Sequence, residues 1–240
     1  MATHFIADLH LDPARPELAA ILHRYLAGAA RDAEALYILG DLFEVWVGDD
    51  GSLEPHRETA TALRALVDSG VPAWFQRGNR DFAVGPTFCA ATGLQLLDDP
   101  AVIDLHGRRT VLTHGDALCT DDHAQLRFRE RYTDPRWLAR MLALPLWLRR
   151  GIARYGRARS RLSHRRKPRA IMDATDDAVS QSMATHHANL LIHGHTHRPA
   201  DHVVRWRDGD GHRLVLADWR ANCGEVLVVD EHGWQRQPLH

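Results

Sequence analysis

The sequence predicts an α/β fold in which two sheets pack face to face and helices cover their outer faces. The first half of the 240-residue chain alternates strand-like and helix-like segments, and the second half is mostly strand-like. A long helical stretch interrupts the strand series between the two halves. The strand-like segments are apolar and end in short polar clusters, which places the candidate functional residues at a sheet rim.

Parallel βαβ units are predicted over the first hundred residues. Strand-like segments end at Asp8, Asp41 and Gln76, and helix-like patterns at 17–30 and 55–68 lie between them. Strands that alternate with helices of this length favour a parallel sheet.

Antiparallel strands are predicted after residue 100. A hairpin is expected from residues 102–105 and 110–113, around a His-Gly-Arg-Arg turn. Four later segments are expected to pair antiparallel, with a turn at 208–211: 189–193, 202–206, 214–218 and 223–229.

A helical cap is predicted over residues 121–169, inserted into a core formed by 1–120 and 170–240. The formal net charge is −1, yet fifteen of the 30 Lys and Arg residues lie between Arg127 and Arg169. A nearly neutral chain has no global field that recruits nucleic acid. The basic segment also lacks the interleaved aromatic residues or motif of a nucleic-acid binder, so no nucleic-acid partner is expected.

The three cysteines, Cys89, Cys119 and Cys223, have no disulfide-type or metal-type spacing, which predicts a reduced, cytoplasmic compartment. The chain opens on a strand-like segment, so we expect no secretory signal. No stretch reaches the roughly 18 uninterrupted apolar residues of a transmembrane helix. The sequence leaves the oligomeric state open and is compatible with a monomer.

Five short polar clusters follow the strand-like segments in order. They are Asp8-x-His10, Gly40-Asp41, Gly78-Asn79-Arg80-Asp81, His114-Gly115-Asp116 and Gly194-His195-x-His197. Each cluster alone is common in turns and on surfaces, but five in sequence at strand ends indicate one site. Their two carboxylates, one amide and four imidazoles are too many ligands for one divalent cation and suit two that share a carboxylate. We therefore predict a two-metal hydrolase.

The spacing within the clusters predicts how the ligands pair. Asp8 with His10, and His195 with His197, are two residues apart, so on an extended segment each pair points to one side. Asp41 ends a central strand and is the expected bridging ligand. Mixed carboxylate and imidazole ligands suit Mn²⁺ or Fe²⁺ better than a structural zinc ion.

The ordered clusters resemble the calcineurin-like metallophosphoesterase superfamily across essentially the whole chain. The resemblance implies a four-layer αββα sandwich and a metal-bridging hydroxide that attacks phosphorus. It implies one ion held by Asp8, His10, Asp41 and His197, and a second held by Asp41, Asn79, His114 and His195. The residues expected to be catalytic are Asp41, Asn79, Arg80, His114 and His195.

Arg80 departs from the Gly-Asn-His-Asp pattern that is usual in that superfamily. A guanidinium stays protonated, so it cannot act as a general acid, but it can clamp phosphate oxygens with two hydrogen bonds. Without that acid, the leaving group should depart as a stable anion, as a phosphate does from a pyrophosphate. Arg80 therefore favours a diphosphate substrate.

The predicted cap mixes apolar and basic residues over 136–150. This pattern has two interpretations: the apolar side packs on the core, or it binds an acylated, anionic substrate at a membrane surface. Longer strings closely resemble the UDP-2,3-diacylglucosamine diphosphatases of lipid A biosynthesis. These strings run over Asp8-Leu9-His10-Leu11, 40–50 and 114–122.

This closer resemblance implies hydrolysis of UDP-2,3-diacylglucosamine to UMP and 2,3-diacylglucosamine 1-phosphate (lipid X), with two Mn²⁺ per chain. It implies a peripheral protein on the cytoplasmic face of the inner membrane. The implied substrate contacts are Asn79, Arg80, Asp122, Ser160, His164, Lys167 and His195. Lys167 is the only lysine of the chain. Either the compact ammonium group of Lys167 is needed to bind a phosphate or sugar oxygen, or Lys167 is present by chance in a chain whose composition favours arginine.

Two other functions stay open. A metallophosphoesterase acting on a soluble nucleotide, such as a cyclic phosphodiester or a dinucleoside polyphosphate, would not need an apolar, basic cap. A non-enzymatic scaffold on the same fold predicts missing ligands, and all seven are present.

Overall fold

Two sheets form the centre of the fold. The computed structural model describes residues 2–166, 169–206, 209–221 and 223–240. Within these ranges the strands are β1 Ala2–Ile6, β2 Ala33–Leu39, β3 Ala73–Gln76, β4 Gln95–Leu97, β5 Ala101–Leu105, β6 Arg108–Thr113, β7 Leu190–His193, β8 Ala200–Trp206, β9 Gly209–Val215, β10 Gly224–Asp230 and β11 Gly233–Leu239. One sheet has the order β11-β10-β1-β2-β3-β4, and the other has the order β5-β6-β7-β9-β8.

Helices lie on both outer faces of the sheets. They are α1 Pro16–Ala27, α2 Asp49–Ser52, α3 Arg57–Asp68, α4 Pro86–Thr92, α5 His123–Tyr132, α6 Pro135–Leu142, α7 Leu146–Arg166 and α8 Asp176–Thr185. No helix in the described ranges combines the length and the apolar character that crossing a bilayer requires.

Three apolar cores define four layers, in agreement with the predicted sandwich. Alternate residues of β1 face opposite sides: Phe5 joins the core between the two sheets, and Ile6 joins the core beneath α1, α3 and α4. On the outer face of the second sheet, Val179 and Met183 of α8 pack on Leu191. Fully burying such a side chain stabilises the folded state by about 1.5–3 kcal/mol. Because alternate residues of a strand point to opposite faces, a strand with apolar residues on both faces is stable only when both faces are covered.

The predicted parallel βαβ units are confirmed. β1 pairs in parallel with β2, β2 with β3, and β3 with β4. The predicted hairpin is also present, since residues Ala101 to Leu105 of β5 pair antiparallel with Arg108 to Leu112 of β6.

The prediction that the later strands all pair antiparallel is wrong for β7. This strand is parallel to both β6 and β9. The helices between β6 and β7 form a long crossover, which a parallel neighbour requires. β8 lies at the edge of the sheet and forms a short antiparallel hairpin with β9. β9 therefore lies between β7 and β8 and runs parallel to β7.

One predicted turn is partly wrong, and three elements of the structure were not predicted from the sequence. The turn predicted at 208–211 is wrong from Gly209 onward, because β9 begins there and pairs with β8 as far as Trp206. β4, α4 and β11 were not predicted. β11 carries Pro238 and alternating polar residues, and it is tolerated because it lies at a sheet edge.

The helices α5, α6 and α7, hereafter the cap helices, follow β6 and lie beside the loop after β2. Arg149 of α7 is 3% exposed and connects the two. Its guanidinium donates to the Val47 carbonyl and to both carboxylate oxygens of Asp50. Its Nε donates to the Leu144 carbonyl at 2.9 Å, which fixes the start of α7. The domain boundary at 121–169 stays a prediction.

Candidate metal centre and adjoining groove

The predicted ligands meet where the carboxyl ends of both sheets come together. In the first sheet the adjacent strands β1, β2 and β3 are followed by Asp8, Asp41 and Asn79. In the second sheet β6 is followed by His114 and its neighbour β7 by the His195-x-His197 pair. The structure therefore brings all seven side chains into one region, although they span the sequence from residue 8 to 197.

Left-handed backbone, not extended backbone, orients most of these ligands. Five of the seven predicted ligands have positive φ angles, between 50° and 68°: Asp8, His10, Asp41, His195 and His197. The extended backbone predicted for the two pairs is therefore wrong, although Asp8 and His10 do lie in one group of ligand atoms. Non-glycine residues in this region are uncommon, and such strain concentrates at functional sites.

Two glycines leave room for the carboxylates. A Cβ on Gly78 would lie 2.2 Å from Asp41 Oδ1, and a Cβ on Gly194 would lie 2.4 Å from Asp8 Oδ2. Any side chain at these positions would displace a carboxylate. Both glycines are therefore required for the close approach of neighbouring carboxylates.

The first group of ligand atoms surrounds one carboxylate oxygen of Asp8. His197 Nε2 lies 3.5 Å and His10 Nε2 lies 4.0 Å from Asp8 Oδ1. The two Nε2 atoms are 3.2 Å apart. Three residues thus present ligand atoms within 4.8 Å of one another, a spacing that one cation can span.

The second group centres on His114 and Asn79. Asn79 Oδ1 lies 3.1 Å from His114 Nε2 and 3.0 Å from His195 Nδ1. Asp41 Oδ1 lies 3.6 Å from His114 Nε2. Asp8 also belongs to a compact group with Asp41 and His114, so it adjoins both groups. The bridging role of Asp41 stays a prediction.

Hydrogen bonds from neighbouring backbone fix these side chains. His114 Nδ1 faces the Leu39 carbonyl at 2.9 Å, which directs Nε2 toward the cluster. The other oxygen of Asp8 accepts from the His195 amide at 2.7 Å. Asp41 Oδ1 accepts from the Arg80 amide at 2.8 Å. Each ligand loop is therefore tied to a ligand of another loop.

Burial and mutual charge set the ionisation of the cluster. Burial raises the pKa of Asp41 to about 7, although the positive charge of His114 acts to lower it. Burial disfavours ionised Asp8, but the hydrogen bond and charge of His197, with other imidazoles, lower its pKa well below the usual range. Burial opposes protonated His114, yet the Asp41 and Asp8 carboxylates raise its pKa to about 9. Burial lowers the pKa of His10 and of His195 to about 3, so both are neutral ligands at pH 7.

The residues fit a bound divalent cation. Asp8 Oδ1 and His10 Nδ1 are buried and lack a hydrogen-bond partner in the described part of the chain. A buried carboxylate oxygen without a donor is costly unless a cation occupies the space that it faces. The oxygen and imidazole nitrogen donors suit a first-row divalent metal.

Asp81 supports the site, a role that the sequence analysis missed. Its fully buried carboxylate accepts from the amides of Gly78, Asp41 and Phe43, at 2.8, 3.3 and 3.3 Å. Burial raises the pKa of Asp81 to about 6, although these hydrogen bonds oppose the rise. Its place in the Gly-Asn-Arg-Asp cluster was the available indication.

A groove of about 680 Å³ adjoins the ligand cluster between the cap helices and the core. Asn79 and Arg80 line its inner end. Its apolar lining includes Trp46, Phe82, Phe128, Trp137, Leu138, Met141, Leu142 and Ile152. Its basic lining includes Arg127, Arg131, Arg149, Arg157 and Arg159. The groove therefore combines an apolar wall with cationic groups.

An ion-pair network fixes one wall of the groove. Arg129 of α5 donates to Asp116 Oδ1 at 2.6 Å and to Asp99 Oδ2 at 2.9 Å. The Tyr132 hydroxyl donates to the other oxygen of Asp116. Asp116 is fully buried, and its role was not predicted although it stands in the His-Gly-Asp cluster.

The predicted substrate residues outside the metal cluster have different positions. Asp122 lines the groove and caps α5, accepting from the Gln125 amide at 3.1 Å. Ser160 also lines the groove. Lys167 and the side chain of His164 lie outside the described part of the structure.

The fold and the ligand set match a known class of protein. The sequence profile of the calcineurin-like phosphoesterases matches residues 1–199. The chain belongs to the calcineurin-like phosphoesterase family.

Within this class, relatives of nearly equal length share about half of their residues with the chain. One from Klebsiella pneumoniae subsp. pneumoniae is 47% identical over 96% of both chains. One from Serratia proteamaculans and one from Escherichia coli O81 are each 48% identical over 95% of both chains. All three relatives are named UDP-2,3-diacylglucosamine hydrolase.

Proposed function

We propose that this protein hydrolyses the pyrophosphate bond of UDP-2,3-diacylglucosamine, releasing UMP and 2,3-diacylglucosamine 1-phosphate. The carrying observation is that Asn79, a member of the ligand cluster, also lines the apolar, basic groove, together with its neighbour Arg80. A substrate with a diphosphate at one end and acyl chains at the other matches this continuity. The names of the near-full-length relatives support the same substrate, in the lipid A pathway.

The proposed cofactor is a pair of Mn²⁺ ions. Asp8, His10, Asp41 and His197 would hold one ion, and Asp41, Asn79, His114 and His195 the other. Carboxylate, amide and imidazole donors suit manganese. When bound, such a pair supplies Lewis acidity and an activated water.

The proposed roles of the protein groups follow from their positions. Arg80 lines the inner end of the groove, where its guanidinium can bind oxygens of the departing phosphate. Asn79 and His195 would position the phosphate under attack, since their polar atoms lie 3.0 Å apart beside His114. Asp122 and Ser160 would contact the sugar nucleotide farther along the groove, together with His164 and Lys167.

We further propose that residues 121–169 form a cap on a core of 1–120 and 170–240, and that this cap contacts the cytoplasmic face of the inner membrane. Trp147, Tyr155 and Leu162 of α7 are 72%, 69% and 58% exposed. Exposed aromatic and apolar residues beside arginines suit an interface with anionic lipid. Tyr155 also lines the groove, so this surface adjoins the expected entry of the acyl chains.

Purified protein with added Mn²⁺, assayed on UDP-2,3-diacylglucosamine, should release UMP. Asp41→Ala and His114→Ala should each abolish turnover, and the exposed control Asp68→Ala should leave it unchanged. Mn²⁺-dependent activity retained in both variants would refute the site. Equal turnover of cyclic nucleotides or dinucleoside polyphosphates would favour a soluble nucleotide substrate instead.

A further inference from the structure

Glu44 is an acidic side chain outside the seven predicted ligands, and it faces the metal centre. Glu44 Oε2 lies 3.5 Å from His10 Nδ1, and the two side chains are only 19% and 13% exposed. The Glu44 amide donates to the Leu11 carbonyl at 3.0 Å, and Leu11 pairs with Phe43 as in a parallel sheet. The loops after β1 and β2 thus run side by side, which fixes Glu44 next to His10.

His10 presents its two ring nitrogens to different partners. Nε2 faces the ligand cluster, at 3.2 Å from His197 Nε2 and 4.0 Å from Asp8 Oδ1. Nδ1 faces Glu44 and is buried without a hydrogen-bond partner in the described residues. A neutral imidazole carries one proton, so a ring that binds a cation through Nε2 must carry it on Nδ1.

We propose that Glu44 is a positioning residue that accepts this Nδ1 proton and thereby holds Nε2 of His10 toward the cation. A carboxylate behind a histidine ligand fixes the tautomer and the ring orientation. Closing the gap from 3.5 Å to a charge-assisted hydrogen bond of about 2.8 Å requires only a small side-chain movement. The inference rests on the proposed two-metal centre. It assigns Glu44 only to the cation that Asp8, His10, Asp41 and His197 would hold, and not to the second one.

The test is a titration of metal-free protein with Mn²⁺, in which binding is measured from the electron paramagnetic resonance signal of the free Mn²⁺. Glu44→Ala should weaken one of the two sites by about 10- to 100-fold and leave the other unchanged. Glu44→Gln keeps an acceptor oxygen and should lie between Glu44→Ala and the wild type. Glu58→Ala, which removes an exposed glutamate of α3, should bind both ions normally. Circular dichroism and melting of each metal-free variant would identify misfolding, in which case Glu44→Gln gives the result.

A double-mutant cycle separates action through His10 from a direct effect. On a His10→Ala background, Glu44→Ala should cause no further loss of Mn²⁺ affinity. The inference is overturned by an equal loss on that background, or by unchanged affinity at both sites in Glu44→Ala. Unchanged Mn²⁺ binding with a raised KM would make Glu44 a substrate contact and also overturn it. Wild-type protein that binds fewer than two Mn²⁺ would instead refute the proposed metal centre itself.

Discussion

Arg80 places a permanent positive charge directly beside the predicted metal ligands. The arginine follows the ligand Asn79 directly, so its backbone is fixed by the metal centre: its amide donates to Asp41 at 2.8 Å. Its side chain lines the groove. A permanent cation at this place would stabilise the negative charge that develops on a leaving phosphate. It cannot donate a proton to a leaving alkoxide.

We expect Arg80→Ala to lower kcat on UDP-2,3-diacylglucosamine by about 10²–10³-fold, because the departing phosphate loses a preorganised charged donor. Arg80→Lys should recover part of this loss, since it keeps the charge but not the bidentate fork. Steady-state kinetics of UMP release measure both effects. The exposed Arg31→Ala serves as the control, and an unchanged kcat in Arg80→Ala would remove the arginine from the mechanism.

The sequence was enough to predict which polar side chains lie together, but not the backbone geometry that orients them. Strand-end position was enough to bring Asp8, Asp41 and His114 together, because buried strands of neighbouring register end at one rim. The left-handed φ of Asp8 and His10 leaves no trace in residue type, since neither is glycine. Supporting residues such as Asp81 were also missed, because their role depends on amides distant in sequence.

At the scale of elements, α7 has two faces with different environments. One face is fixed to the loop after β2 through buried Arg149 and lines the groove. The other face exposes Trp147 and Leu162. Tyr155, which is 69% exposed, lies where this face meets the groove. Leu138 of α6 packs against the core, as the first interpretation of the cap sequence predicts, and contact with an acylated substrate at a membrane stays a prediction.

Replacing the outward residues tests membrane contact without disturbing the groove wall at Arg149. The double variant Trp147→Ser, Leu162→Ser should bind anionic phosphatidylglycerol vesicles at least about tenfold more weakly, since even 1.4 kcal/mol of lost apolar transfer gives that factor. Co-sedimentation measures the binding. Val203→Ser, at a residue 68% exposed on β8, is the matched control. Equal sedimentation of the double variant and the wild type would contradict membrane contact through α7.

Element order was predictable where apolar runs were long, and less so where pairing depends on distant segments. The strands β1, β2 and β3 stand out because both of their faces are buried. The parallel direction of β7 results from the crossover through the cap helices and α8, which no local pattern specifies. The edge strand β11 lacks an apolar pattern because most of its residues are partly exposed.

For the whole molecule, the number of buried neutral histidines determines how the metal-free protein responds to acid. Burial lowers the pKa of His10, His193 and His195 to about 3 and that of His56 to about 4. Below about pH 6.5 the unfolded chain protonates these imidazoles while the folded chain does not. Each such group therefore reduces stability on acidification, by at most about 1.4 kcal/mol per pH unit.

Two buried carboxyls act in the opposite direction. Burial raises the pKa of Asp41 to about 7 and of Asp81 to about 6, so the folded chain binds their protons at a pH where the unfolded chain has lost them. Their contribution is fully present below about pH 4 and is lost as the pH rises through 6 to 7. Two carboxyls offset only two of the four histidines. The free energy of unfolding should therefore fall between pH 6.5 and pH 5.

Urea denaturation of EDTA-treated protein at several pH values between 5 and 7 measures this slope. His56 lies outside the ligand cluster, with its ring 4.4 Å from that of Phe43, so His56→Gln should flatten the slope without altering a ligand. His232→Gln, whose side chain is 84% exposed, should leave the slope unchanged. Stability that rises on acidification, or a slope insensitive to His56→Gln, would show that buried neutral imidazoles do not govern the acid response. With Mn²⁺ present the slope should steepen, because protons then compete with the cation for His10 and His195.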